Sequence, residues 1–101
     1  MKREEILNAI GPQVEEYLNT NWLNCGIPHK VMVDEDKRNH IVRCGTEIMG
    51  QKSGFELHPG SFVTSVVENN LASALLKADS INQFALKFYV TMMLNLQINL
   101  K

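Results

Sequence analysis

Apolar residues recur every three or four positions at both ends of the chain, and this spacing predicts helices there. Near the start, Ile6, Leu7, Ile10, Val14, Tyr17 and Leu18 fall on one face, while Glu4, Glu5, Glu15 and Glu16 lie off it. Gly11-Pro12 interrupts the run. Proline lacks a backbone donor and disfavours helix at the residue before it, so the pattern reads as two helices, about 2–10 and 12–23. Pro12 then occupies the first turn of the second helix, and Asn24-Cys25-Gly26 is a stop signal, since Asn and Gly accept a left-handed cap.

Toward the other end, Phe62, Val63, Val66, Val67, Leu71, Leu75 and Leu76 hold helical spacing over 61–77. Pro59-Gly60-Ser61 precedes them, with Ser61 as the candidate N-cap, and Asn69-Asn70 marks a bend. Asp79 or Ser80 caps a further helix over 80–96, faced by Ile81, Phe84, Ala85, Phe88, Tyr89, Met92 and Leu96. Leu86, Val90, Met93 and Leu94 make it apolar nearly all round, the pattern of a helix buried in its own core or against another subunit. The period fades between 27 and 56. Val31, Val33, Ile41 and Val42 are β-branched, and Asp36-Lys37-Arg38-Asn39 reads as a turn, so a short hairpin over 29–34 and 40–45 fits. Three glycines between 50 and 60 suggest a loop. The expected fold is therefore mostly α, formally α+β: one small helical domain over 1–101 with a short β-hairpin in its middle.

Composition narrows the classes of function. The chain has 101 residues, 45% hydrophobic and 21% charged, which is globular rather than disordered. A net charge of -1, with Lys37, Arg38 and Arg43 preceded by Asp34, Glu35 and Asp36, argues against nucleic acid or an anionic membrane as partner. Glu4 and Glu5 stand where the apolar part of a secretory signal would begin. Phe88–Leu100 is only 13 residues long and carries Thr91, Asn95, Gln97 and Asn99, whereas a membrane helix needs about 20 apolar residues. Two cysteines are too few for a disulfide framework, so the expected location is the reducing cytoplasm of a bacterial cell.

Candidate chemistry is sparse. Cys25-x3-His29 and His40-x3-Cys44 supply two thiols and two imidazoles, a permissible zinc set. The usual close cysteine pair is missing, so the expectation is no metal and no cofactor. A cysteine–histidine dyad lacks an orienting acid in the sequence, and buried cysteine is common enough to account for both thiols. Glu15 and Glu16 are adjacent on a helix and face apart; Gly50, Gly54 and Gly60 lack the spacing and lysine of a phosphate loop. His58-Pro59-Gly60-Ser61 is the most distinctive local stretch. Free N–H groups at Gly60 and Ser61 could hold an anion at a helix start, though a simple cap explains the same residues.

Residues 57–95 also resemble a family of small, uncharacterised phage and prophage proteins. The resemblance rests on Pro59-Gly60-Ser61-Phe62, Val66-Val67-Glu68-Asn69-Asn70-Leu71, Ala74, Ala78-Asp79 with Asn82, and an apolar final helix. It covers about 40% of the chain, implies a phage-linked origin and a small helical fold, and brings no known activity or site residues. The expected function is a non-enzymatic accessory protein that binds proteins: itself as a dimer, or a host or phage protein. The alternatives are an anionic-nucleotide sponge using Gly60 and Ser61, and a small zinc protein using Cys25, His29, His40 and Cys44.

Overall fold

A computed structural model describes residues 2–55, 57 and 59–100, and within them the chain forms six helices and no strand. These are α1 (Arg3–Asn21), α2 (His29–Met32), α3 (Glu35–Lys52), α4 (Ser61–Val67), α5 (Leu71–Lys77) and α6 (Ser80–Asn95). The radius of gyration is 12.5 Å, close to the ~13 Å of a compact domain this long. No described helix is long and apolar enough to cross a membrane.

α1 corrects the two-helix expectation. It runs unbroken through Gly11-Pro12 because Ile6, Ile10, Val14 and Leu18 form one buried row, four residues apart, that only a continuous helix can align. Pro12 and Asn8 sit on the exposed side, where water can replace the hydrogen bond that proline cannot donate. The helix ends as the sequence suggests. Gly26 adopts φ 76°, its N–H bonds the Leu23 carbonyl, and the Ile27 N–H bonds that of Trp22. This paired geometry with the buried apolar Ile27 is a Schellman cap.

The hairpin is not present, and helix takes its place. Asp34 accepts from the Lys37 N–H (3.2 Å) and caps α3, so the presumed turn 36–39 is the first turn of an 18-residue helix. Glu35 and Asp36 favour that end through the helix dipole. Two pairs of β-branched residues were too short a pattern to establish alternation. The loop over 50–60 also starts later than expected: Gly50 is buried inside α3, where a Cβ would lie 2.5 Å from Leu57 Cδ1. α3 closes at Gly54 (φ 95°), with the Gly54 N–H on Gln51 and the Phe55 N–H on Gly50, a second Schellman cap. The third is at Asn69 (φ 60°), where the single bent helix expected over 61–77 is instead broken into α4 and α5, because a left-handed residue cannot continue the helical hydrogen bonds.

α3 is the central helix. α1 packs on it antiparallel, bracketed by Arg3–Glu47 and Arg38–Glu15 contacts, both 3.2 Å. α6 runs parallel to it and also touches α1, with His40 beside Asp79 and Lys52 beside Met93. Both neighbours close on Gly45, where a Cβ would meet Val14 Cγ1 at 2.9 Å and Met92 Cε at 3.3 Å. A ladder of rings, Tyr17–Phe88–Tyr89–Phe62, with centroids 5.7–5.9 Å apart, links α1 through α6 to α4. Gly45→Val should overpack this crossing and lower stability by about 2 kcal/mol in urea unfolding, despite its gain in side-chain area. An unchanged midpoint would mean that the crossing has slack.

Candidate functional site

The polar residues that the fold gathers lie along the seam between α3 and α6. Asp79 is the N-cap of α6: its Oδ1 accepts from the Asn82 N–H at 2.8 Å. Its other oxygen, Oδ2, is 2.9 Å from His40 Nε2 on α3. His40 Nδ1 faces Arg43 at 3.4 Å. One turn into α6, the buried Asn82 accepts from the Tyr89 hydroxyl at 2.6 Å and directs its amide nitrogen to Cys44 Sγ at 3.7 Å. Cys44 Sγ in turn lies 3.9 Å from His40 Nε2. The result is one chain of contacts from surface Arg43 to buried Tyr89. Among the described residues, every buried side-chain nitrogen or oxygen has a partner.

Cysteine, histidine and aspartate in mutual reach invite comparison with a nucleophile–imidazole–carboxylate relay. The geometry differs at the decisive atom. A relay uses one ring nitrogen for the acid and the other for the nucleophile, but here His40 Nε2 faces both Asp79 and Cys44. With Nε2 protonated toward Asp79 and Nδ1 accepting from Arg43, a neutral imidazole satisfies both contacts and leaves no base aimed at sulfur. Burial pushes the Cys44 thiol up, and the charges of Glu47 and Asp79 push the same way; the Asn82 hydrogen bond opposes them with less effect. Burial also holds the Tyr89 hydroxyl well above its ordinary 10.0, with Cys44 adding to the effect. Burial thus disfavours the ionised forms of Cys44 and Tyr89, and the contacts around them tie α3 to α6.

The other sequence candidates disperse. Cys25 is buried in the turn after α1, and His29 opens α2 with its ring 6.0 Å from that of Trp22. Of the four proposed zinc ligands, only His40 and Cys44 come together, one turn apart on α3. Among the described residues, no group of three or more His, Cys, Asp or Glu is arranged to hold a metal ion. Ser61 is not the N-cap of α4. Gly60 holds that place, Ser61 is the exposed first helical residue, and the Gly60 carbonyl accepts from both the N–H and the hydroxyl of Thr64. Glycine can cap through its backbone alone, so the serine hydroxyl is not required. His58, the first residue of that stretch, lies outside the described residues.

Two features of the seam went unread in the sequence. Asn82 interrupts the apolar face of α6 seven residues before Tyr89, two turns that place them on one side, and this was a usable signal of a buried hydrogen bond. The His40–Asp79 contact spans 39 residues and left no local trace. The chain matches no protein-family model, no curated protein and no solved structure.

Asn82→Ala should cost about 1–3 kcal/mol, because it strands the buried Tyr89 hydroxyl. Tyr89→Phe should cost less, and in the double variant the two losses should fall short of their sum in denaturant unfolding. The seam also predicts a pH response. Both acids hold their protons more tightly when folded, so their contribution is intact below the ordinary values of 9.0 for Cys44 and 10.0 for Tyr89. It is lost as pH rises beyond them. The melting temperature should therefore fall above pH 9, and fall less steeply in Cys44→Ala. Equal slopes in the two proteins would detach Cys44 from this effect.

Proposed function

We propose that this chain is a non-enzymatic helical binding module that docks protein through the outward face of α5 and α6, with a second copy as its first partner. The observation that carries this reading is the set of large apolar side chains left in water. Leu76 is 86% exposed and Leu94 79%, and Leu71, Leu75 and Phe84 are exposed as well. Leu71 on α5 and Leu86 and Val90 on α6 border one shallow groove floored by Ala74 and Val66. Leu94 continues the Val90 row one turn on. Single exposed leucines are ordinary, but Leu71, Leu86 and Val90 flanking one groove between two helices, with Leu94 beyond them, have the composition of a docking surface.

The resemblance of residues 57–95 to phage and prophage proteins supports an accessory role in that setting, since α4, α5 and α6 are the elements it spans. The nucleotide-sponge reading draws on Gly60 and Ser61 at the start of a seven-residue helix, and the zinc reading on two residue pairs that stand apart. Each has less behind it than the apolar face. A closed two-fold dimer is the usual solution for a self-complementary patch. Of Val90, Met93 and Leu94, the structure turns Leu94 outward most, so Leu94→Glu is the informative variant. Sedimentation equilibrium at tens of micromolar should find wild type as a dimer and Leu94→Glu as a folded monomer. A monomeric wild type removes the self-association reading.

A further inference from the structure

The last residues of the chain leave α6 without any local reason to do so. There is no glycine or proline from Phe88 to the C-terminus, and Leu96 and Leu100 would prolong the apolar face of α6 if its spiral continued. Instead the helix stops at Asn95 and Leu96 turns extended (φ -84°, ψ 125°). Two side chains from other helices substitute for the missing turns. The Lys52 ammonium donates to the Met93 carbonyl, the acceptor that the Gln97 N–H would take in a longer helix. Gln13 on α1 grips the backbone of Asn99 from both sides: its Nε2 donates to the Asn99 carbonyl at 2.6 Å, and its Oε1 accepts from the Asn99 N–H at 2.8 Å.

That grip reads backbone, as a neighbouring β-strand would, and is blind to the side chain it holds. Side-chain selection comes from alternation. Leu96 and Ile98 pack against the core, whereas Gln97 and Asn99 are exposed. Leu96 lies by Tyr17 and Asn21 and Asn99 by Gln13, so the segment runs antiparallel to α1. Beside Leu96 the surface remains open as a groove of about 270 Å³ bordered by Tyr17, Glu16 and Thr20.

We propose that this face of α1 is a peptide-docking groove for an extended segment with apolar residues two apart. The chain's own residues 96–100 fill it as a displaceable strap. Such a partner would gain the two Gln13 hydrogen bonds and the apolar seats of Leu96 and Ile98. The released strap has an alternative in which its N–H groups are again satisfied, as a continuation of α6. This groove is formed by α1 and is separate from the α5–α6 face, so it stands or falls independently of the dimer.

The probe is the synthetic peptide Leu-Gln-Ile-Asn-Leu-Lys, titrated into the full chain and followed by NMR. In wild type the Asn99 amide should exchange more slowly than that of Gln97, and the peptide should bind weakly because the strap competes. In full-length Ile98→Asp the Asn99 protection should disappear, and the peptide should bind saturably, shifting the Gln13 side-chain amide and Tyr17. Adding Gln13→Ala to that variant should weaken binding by about tenfold or more, the worth of a hydrogen-bond pair. Should Ile98→Asp fail to fold, Ile98→Ala serves as the released form. A folded released form that ignores the peptide overturns the proposal. So does binding that is indifferent to Gln13→Ala, or binding that shifts α5 and α6 instead.

Discussion

The structure depends on how closely two helices can approach α3 at Gly45. Val14 from α1 and Met92 from α6 both come within reach of a Cβ that is not there, and a side chain at this point would have to displace one of them. Close-packed interiors do not absorb such a change without moving a backbone. Because α1 and α6 both seat on α3 here, the alignment of every other contact follows. The antiparallel α1 brings Arg3 to Glu47 and Glu15 to Arg38, and the parallel α6 brings Asp79 to His40 and Asn82 to Cys44.

The polar seam that results joins residue types familiar from catalytic sites around a buried thiol and a buried hydroxyl. Burial makes ionisation of Cys44 and Tyr89 harder, which is opposite to what a nucleophile or a base requires near neutral pH. The same burial makes each hydrogen bond costly to break. Asp79 serves two ends at once, closing α6 with one oxygen and joining it to α3 with the other. Helix capping and tertiary contact are thereby placed in a single residue.

The two docking surfaces proposed above differ in kind. The α5–α6 face leaves leucines in water at a cost that a partner would relieve. The strap shows a different logic, since Gln13 and Lys52 hold an extended conformation that the local sequence does not demand. One surface offers apolar area and the other a backbone-reading grip, so the two proposals rest on different chemistry and are independent of each other.

By itself the sequence determined the predominance of helix, the stop at Gly26, a bend at Asn69, the Asp79 cap and the start of α6. Each of these is written within about four positions, the reach of a helical hydrogen bond or a cap. Tertiary structure decided the rest. Pro12 stays inside α1 because the row from Ile6 to Leu18 is buried as a unit, and residues 35–52 are helical because one long face can meet both α1 and α6. Gly50, which reads locally as a breaker, is there because Leu57 needs the space. The His40–Asp79 contact and the Gln13–Asn99 grip join residues 39 and 86 positions apart, and no local pattern encodes which distant partner will arrive.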